Sequence, residues 1–225
     1  MIDTELDNPF WSSLRSRHRA LAQSVGDASR YPADFAPFLG VASTDADVGE
    51  AIESLVGLDE TLYLLGVAPS ITDKWTLRAY PPLAQMICTT PIPLIDGPQV
   101  IELSEVHRAD VLALTALVYP HYFRPRTMEL GRYFGIYQDE RLAAMIGERL
   151  GTDAYQEISA VCTHPDFSGR GYARRLVALL SNDNLDCGRT PFLHVSQQNH
   201  RAKLLYEQIG YQHRREIAFW SLGRT

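Results

Sequence analysis

The stretch that decides the fold is VCTHPDFSGRGYARRL, residues 161–176. It starts as an apolar strand and ends, from Tyr172 onward, as an amphipathic helix. Gly169 and Gly171 lie between the two, and glycine adopts backbone angles that are closed to other residues. Successive backbone N–H groups can therefore converge at the positive end of the helix, with Arg170 and Arg174 beside them. This layout predicts a phosphate cradle.

Two other glycine-rich phosphate-binding motifs match this stretch poorly. A Walker loop needs Lys followed by Ser or Thr after its last glycine, and that pair is absent. A dinucleotide-binding fingerprint would need glycine where Arg174 stands. From the two glycines alone, a plain turn at Gly169 and a helix entry at Gly171 remain an equal alternative to a cradle.

Strands and helices alternate around this loop. Alternating apolar positions and turn residues predict the strands 100–103, 133–137, 142–150, 155–163, 191–196 and 211–220. Helical spacing predicts helices after Ser104, over 172–180 and over 199–208. The order predicts an α/β (α+β) fold with a mixed, mostly antiparallel sheet flanked by helices.

The first part of the chain is less regular. Asn8-Pro9 predicts the start of a helix that runs through Leu21, and we expect a short helix at 49–55 and a strand at 62–67. Five prolines between Tyr80 and Pro98 predict an extended connector or boundary. We therefore expect a divergent N-terminal α/β half at residues 1–97, a degraded version of the unit at 98–225, packed against it.

Composition and charge narrow the function classes. The 225 residues are 45% hydrophobic and 21% charged, as in soluble globular proteins. The net charge of −6 gives no overall attraction to nucleic acid or an anionic membrane, so we expect neither as a partner. Residues 1–98 carry 6 Lys/Arg against 13 Asp/Glu, whereas residues 99–225 carry 15 against 14, so an anionic ligand would favour the second half.

The cysteines and the apolar runs of the chain indicate its metal content and its location. Three widely spaced cysteines predict reduced thiols and no metal site. No apolar run approaches the roughly 18 residues of a membrane span, and the N-terminus does not resemble a secretory signal. We expect a cytoplasmic protein without a bound metal, and the sequence leaves its oligomeric state open.

Two ordered motifs resemble the GNAT superfamily of N-acetyltransferases over about residues 100–220. Residues 168–173 fit the family pattern Gln/Arg-x-x-Gly-x-Gly/Ala, except that Ser168 replaces Gln or Arg. Residues 199–211 resemble Asn-x-x-Ala-x-x-x-Tyr-x-x-x-Gly-Phe, with Tyr211 in place of Phe. Together with residues 191–195, these motifs are most similar to the FR47-like branch of the family.

The resemblance implies transfer of an acetyl group from acetyl-CoA to a primary amine of a small molecule or peptide. It implies direct attack in a ternary complex in a catalytic domain at residues 98–225. A non-catalytic acyl-CoA-binding sensor or scaffold is the alternative, and a hydrolase using Cys162 is a third reading. The residues implied to bind the co-substrate are Val161, Cys162, Thr163, Ser168, Gly169, Arg170, Gly171, Tyr172, Ala173, Arg174, Asn199 and Tyr206.

Catalytic and acceptor residues follow from the same resemblance. Tyr206 would protonate the departing thiolate, since a phenol stays protonated at neutral pH. Glu157 or Glu148 would take the amine proton, although either carboxylate can also be a solvated strand residue. The loop with Tyr122, Phe123 and Arg126 would contact the acceptor, with loop packing as an equal alternative.

Overall fold

The computed structural model describes residues 4–225, which form one large and one small sheet with flanking helices. The α-helices are α1 (Thr4–Asp7), α2 (Pro9–Arg15), α3 (Gly49–Leu55), α4 (Arg108–Val118), α5 (Tyr172–Asp186) and α6 (His200–Gln208). The strands are β1 (Gln23–Val25), β2 (Ala28–Arg30), β3 (Leu39–Val41), β4 (Leu62–Leu65), β5 (Trp75–Ile87), β6 (Ile101–Leu103), β7 (Tyr133–Gln138), β8 (Arg141–Gly151), β9 (Tyr155–Thr163), β10 (Thr190–Ser196) and β11 (Gln212–Arg224). Short 3-10 helices lie at Glu105–His107, Thr127–Leu130 and Pro165–Phe167.

The large sheet has eight strands in the order β4-β11-β5-β10-β9-β8-β7-β6. Every neighbouring pair is antiparallel except β9 and β10, which run parallel. A parallel pair needs a crossover connection, and α5 supplies it. The predicted fold class, a mixed and mostly antiparallel sheet flanked by helices, is confirmed.

Side-chain alternation divides the core between the two faces of the large sheet. Leu176 and Leu180 of α5 pack against one face with Ile146 and Ile158. Residues on the opposite face, such as Met145, pack with α4. The aromatic cluster of the N-terminal helices covers that second face near β10 and β11.

The prolines expected in a connector partly belong to the sheet. Pro81 and Pro82 lie inside β5, so the connector begins only after Ile87. The β5–β11 register shifts at this point, where Tyr80 pairs with Phe219 and Leu83 with Ile217. The two prolines therefore occupy a bulge, a position where a strand tolerates residues without a ladder N–H.

Strands from both sides of position 97 build the large sheet. Among the described residues, β4 and β5 come from the N-terminal part and pair with β11, the last strand of the chain. The smaller sheet, β1-β2-β3, also belongs to the N-terminal part. The predicted division at 97/98 thus falls on a connector, while the hydrogen-bonded sheet spans both parts.

The first predicted helix ends earlier than its apolar spacing indicates. Helix α2 stops at Arg15, and the chain then turns so that His18 enters the core. The His18 ring bonds the Leu130 carbonyl oxygen through Nε2 at 2.9 Å and the Tyr31 hydroxyl through Nδ1 at 2.8 Å. These tertiary bonds compete with continuation of the helix. Within residues 4–225, no helix combines the length and apolarity that membrane crossing requires.

Gly66 ties β4 to the N-terminal helix, and its replacement tests that contact. Its φ of +84° is left-handed, and a Cβ there would lie 2.0 Å from the Asp7 carbonyl oxygen. We expect Gly66→Ala to lower the free energy of unfolding by more than about 2 kcal/mol, because backbone strain and a backbone clash add. Gly26 has a φ of +51° with open space around it, so Gly26→Ala is the matched control and should cost about 1 kcal/mol. Equal losses of stability in urea denaturation would contradict this account.

Candidate functional site

A fork between two parallel strands forms the centre of the site. β9 and β10 pair only from Tyr155 to Glu157, opposite Thr190 to Phe192. Beyond that, β10 follows β5 through Ser196, whereas β9 follows β8. A gap therefore opens between residues 158–163 and 193–196.

A bulge in β9 lies inside the fork. Met145 pairs with Cys162 and Gly147 with Ser159, so Ala160 and Val161 together oppose Ile146. Ala160 has a φ of +49°, a left-handed conformation that costs a non-glycine residue about 1–2 kcal/mol. Such a bulge leaves backbone polar groups without a ladder partner. The strand thus offers free N–H and C=O groups beside the gap.

The glycine loop closes one end of the fork. Gly169 and Gly171 both have φ of +78°, and Gly171 caps α5 in the left-handed conformation. No side chain caps this 15-residue helix, so its first N–H groups lack a side-chain partner. The arrangement is that of a cradle for an anion.

The loop borders a cavity of about 380 Å³, which we term the loop cavity. Arg201 adds a positive charge to the two arginines of the loop there. Of the residues that the sequence assigned to co-substrate binding, all except Cys162 line it: Val161, Thr163, Ser168, Gly169, Arg170, Gly171, Tyr172, Ala173, Arg174, Asn199 and Tyr206. The structure therefore brings this predicted set together.

A second cavity of about 440 Å³, the sheet cavity, adjoins the first. It lies along residues 158–162 of β9 and 194–196 of β10. Its far wall consists of N-terminal and loop residues and one residue of β11: Phe10, Phe38, Leu65, Tyr80, Pro81, Leu83, Tyr119, Tyr122 and Phe219. Both cavities share Val118, Val161, Asn199, Ala202 and Tyr206. The two spaces therefore meet at Tyr206.

Tyr206 is held at this junction by α6. The Asn199 side chain caps the helix by accepting from the Ala202 backbone N–H at 3.1 Å. The Tyr206 side chain is buried, with its ring 5.9 Å from that of Tyr211. Burial raises the pKa of the Tyr206 phenol above its usual value, and nearby Cys162 and Tyr119 add to the shift. Tyr206 is therefore a protonated hydroxyl beside the fork.

Glu157 sits at the closed end of the fork, fully buried. Its carboxylate accepts from Arg149 Nε and Nη2 at 2.8 Å each, from His194 Nδ1 at 2.8 Å and from the Leu150 N–H at 3.3 Å. Although desolvation alone would raise the pKa of Glu157, the Arg149 charge and these hydrogen bonds outweigh it and lower the pKa to about 2. A carboxylate with such a pKa and four donors is a weak base.

The His194 ring, which bonds Glu157, is oriented by hydrogen bonds of the Gln85 side-chain amide. Gln85 donates from Nε2 to the Leu6 carbonyl oxygen and to His194 Nε2, while its oxygen accepts from Arg214. Because Gln85 presents a donor to Nε2, the proton of His194 is assigned to Nδ1, facing Glu157. His194 is thus a buried, hydrogen-bonded histidine that also borders the sheet cavity.

The structure places Glu148 away from both cavities. Its side chain is buried on the opposite face of β8, where Arg132 Nη2 donates to Oε1 at 2.6 Å. Although desolvation acts against it, bonding to Arg132 lowers the pKa of Glu148. Glu148 and Glu157 are therefore not brought together. Glu157 lies at the paired end of the fork, and neither carboxylate lines a cavity described above.

The three predicted acceptor residues separate in the structure. Tyr122 lines the sheet cavity, and burial raises the pKa of its phenol to about 12. Phe123 instead packs edge-on against Tyr133. Arg126 pairs with Glu129 at 2.6 Å and lies over the Phe35 ring. Neither of these two lines a cavity described above.

Cys162 lines the sheet cavity as a buried thiol. Burial raises its pKa to about 12, which disfavours the thiolate that a nucleophile requires. Over residues 4–225, no group of three His, Cys, Asp or Glu side chains is placed to hold a metal ion. The hydrolase reading therefore lacks its activated nucleophile.

Sequence reasoning missed Arg149 and the N-terminal aromatic wall. Arg149 is adjacent in sequence to Glu148, a candidate base, but strand alternation points the two side chains to opposite faces of the sheet. Phe10 and Phe38 stack at 4.3 Å between ring centroids beneath the cavity, far from any motif. The period of β8 could have indicated Arg149, whereas no local pattern marks the aromatic residues.

The buried Arg149–Glu157 pair predicts a specific acid response. The pKa of Glu157 is depressed, so its stabilisation is present above about pH 4.5 and is lost as pH falls towards 2. We expect Glu157→Gln to be less stable at pH 7 by about 3–5 kcal/mol, since Arg149 stays buried and unpaired. That difference in unfolding free energy should narrow between pH 4.5 and pH 2 in urea titrations. Glu207→Gln, an exposed replacement on α6, is the control, and a gap for Glu157→Gln that stays constant with pH would refute the pairing.

Comparison with known proteins identifies the family. A family model described as FR47-like protein matches residues 133–220. A GNAT-family acetyltransferase from Novosphingobium aromaticivorans is 32% identical, with a TM-score of 0.89 over 99% of this chain and 100% of that one. No curated protein sequence matches.

More distant structures share the fold. A GCN5-related N-acetyltransferase from Kribbella flavida is 16% identical, with a TM-score of 0.63 over 99% of this chain and 95% of that one. A GCN5-related N-acetyltransferase-like protein from Streptococcus suis is 13% identical, with a TM-score of 0.57 over 99% and 96% of the two chains. Given the first relative's identity over nearly the whole length, the chain belongs to the GNAT family of acetyltransferases.

Proposed function

We propose that this protein transfers an acetyl group from acetyl-CoA to a primary amine of a small molecule or peptide. The observation that carries the proposal is the fork between β9 and β10, which joins the anion cradle of the loop cavity to the sheet cavity. A long, thin thioester with a diphosphate at one end fits such a shape. The amine would approach from the sheet cavity.

The diphosphate would bind the first turn of α5. The N–H groups around Gly169 and Gly171 and the arginines of the loop supply positive potential there. The amides of the pantetheine arm would add to the exposed edge of β9 near Val161 and Thr163, as a peptide adds to a sheet edge. Near the bulge at Ala160, a free N–H would polarise the thioester oxygen.

Acetyl transfer replaces the C–S bond of the thioester with a C–N bond. The nitrogen of the free amine forms a bond to the carbonyl carbon of the thioester, and the C–S bond breaks after the tetrahedral intermediate. Tyr206 gives its phenolic proton to the departing sulfur and regains one from solvent. The nitrogen loses its proton to water, because the cavity-lining residues include no Asp or Glu.

Glu157 has a positioning role in this scheme. Its four hydrogen bonds hold Arg149 and His194 at the closed end of the fork. Since its carboxylate is saturated and its pKa is low, removal of the amine proton by Glu157 has less support than it had from the sequence. The same lack of a lining carboxylate is the observation that favours the alternative, a non-catalytic acyl-CoA-binding sensor or scaffold.

Gly171→Ala tests the cradle. Space exists for the added Cβ, whose nearest neighbour is Ile95 Cδ1 at 3.8 Å, but the φ of +78° disfavours alanine. The loop should shift and its N–H groups should diverge, so we expect the dissociation constant for acetyl-CoA to rise about tenfold or more in calorimetry. Gly188 ends the same helix with a φ of +74° and open space, so Gly188→Ala carries similar strain outside the site. Equal affinity in both variants would count against the cradle.

Tyr206→Phe tests the proton donor. Loss of the hydroxyl should lower kcat for thiol release about 100-fold, the usual scale of general-acid catalysis, and leave acetyl-CoA affinity unchanged. Tyr211→Phe is the matched control, because that hydroxyl bonds Ser181 at 2.8 Å away from both cavities. Unchanged kcat in Tyr206→Phe would remove the assigned role. Binding of acetyl-CoA by the wild type without turnover of any amine would support the sensor alternative.

A further inference from the structure

Within residues 4–225, the sheet cavity is lined by hydrogen-bond donors but by no carboxylate that could accept from a ligand. Among the described residues that line it, Arg149 is the one with a formal charge at neutral pH, and none is Asp or Glu. The Arg149 guanidinium lies over the Phe38 ring, with 5.0 Å to the ring centroid. The guanidinium therefore already covers that face of Phe38, and the described lining holds no carboxylate that could pair with a cationic acceptor. A polycationic acceptor does not suit this space.

The hydrogen-bonding capacity that remains at the Arg149–Glu157 pair is of the donor kind. Glu157 already accepts four bonds, which fills a carboxylate. Arg149 gives Nε and Nη2 to Glu157, and because a guanidinium has five N–H groups and no acceptor, whatever else it bonds must accept. The Tyr119 hydroxyl, which also lines the cavity, accepts from the same guanidinium and keeps its own O–H as a donor. A ligand that completes this cluster must bring an acceptor.

A third donor adds to the imbalance. The Tyr133 hydroxyl interacts electrostatically with Arg149 and Tyr119, and it is buried with no hydrogen-bond partner among residues 4–225. Buried hydroxyls normally find a partner. Tyr133 lies behind the cavity wall and does not line it, so the donors that face the cavity here are Arg149 and Tyr119. A carboxylate is the group with enough lone pairs to accept from both.

The rest of the cavity wall is aromatic. The Phe219 ring lies 5.4 Å from that of Tyr80 and 6.1 Å from that of Tyr122, between centroids. Phe10 and Phe38 continue the wall on the other side. Flat rings pack well against such surfaces in stacked or edge-on arrangements. The wall therefore fits an aromatic body.

We propose that the acetyl acceptor is a primary alkylamine that carries an aromatic ring and a carboxylate, and that Arg149 and Tyr119 bind this carboxylate. This inference rests on the proposed acetyl transfer and specifies its second substrate. The ring of the acceptor packs against Phe219 and Tyr122, because Phe10 and Arg149 already cover Phe38. Its amine points towards the junction at Tyr206. The product is the N-acetylated aromatic carboxylate, formed by the same bond changes as above.

The test compares matched amines. Phenylalanine is paired with phenethylamine, and 4-(aminomethyl)benzoate with benzylamine, so that each pair differs by the carboxylate; spermidine represents polycations. Thiol release from acetyl-CoA gives kcat/KM, expressed per concentration of free amine. For at least one pair we expect the carboxylate to raise kcat/KM about tenfold or more, as a charged hydrogen bond does. A wild-type preference for spermidine or for the decarboxylated amines would overturn the proposal.

Three variants locate the effect. Arg149→Lys keeps the charge beside Glu157 but removes the guanidinium fork, and Tyr119→Phe removes one hydroxyl. Each should cut the carboxylate preference to about threefold or less, mainly through KM, with acetyl-CoA affinity retained as proof of folding. Arg132→Lys alters the equivalent pair with Glu148 outside the cavities and should keep the full preference. A preference that survives Arg149→Lys would also overturn the proposal.

A binding measurement separates this inference from the proposed function. 3-Phenylpropionate has the ring and the carboxylate but no amine, so it cannot be acetylated. It should raise the melting temperature of the wild type, whereas 3-phenylpropanol should not, and Arg149→Lys should abolish the shift. If no amine is acetylated but this shift occurs, acetyl transfer fails and the carboxylate site stands. If 3-phenylpropionate causes no shift, the site itself is refuted.

Discussion

One strand cannot pair along its whole length with two neighbours that diverge, and the site depends on this constraint. β10 stays with β5 to Ser196 and leaves β9 after Phe192. The unpaired edges would be costly if they were buried without partners, and the bulge at Ala160 adds strain to the same place. A fold that keeps such a gap provides backbone groups that a ligand can satisfy.

The closed end of the gap is stabilised by charge. Arg149, Glu157 and His194 come from three adjacent strands and meet where the backbone ladder stops. Desolvation of the pair is offset by bidentate geometry and by the additional donors to Glu157. All acceptor positions of the Glu157 carboxylate are therefore bonded within the protein, whereas the Arg149 side chain that lines the cavity can still donate hydrogen bonds. The polarity and the shape of the sheet cavity are thus linked at a single ion pair.

The N-terminal part contributes more to the site than its irregular sequence indicates. Gly66 permits close contact between β4 and α1, which places Phe10 under the cavity. The proline bulge in β5 brings Tyr80 and Pro81 to the cavity wall where β10 ends. The acidic residues of this part do not line the cavity, so its contribution is aromatic surface.

Local sequence patterns were sufficient for much of the fold and for the glycine loop that borders the loop cavity. The alternation at 155–163 and the helical spacing at 49–55 match the observed β9 and α3, and Asn199 caps α6 as its residue type indicates. The cradle around Gly169 and Gly171 could also be predicted, because the strand, loop and helix are contiguous in the chain.

What only the tertiary structure decided is the environment of each carboxylate and the wall of the second cavity. Sequence could not tell that Glu148 meets Arg132 while Glu157 meets Arg149 and His194, since these partners come from different strands. Nor could it join Phe10, Phe38 and Phe219 around one space. The pattern along a chain determines local conformation and the faces of strands, whereas pKa values and cavity walls depend on residues that only the folded sheet brings together.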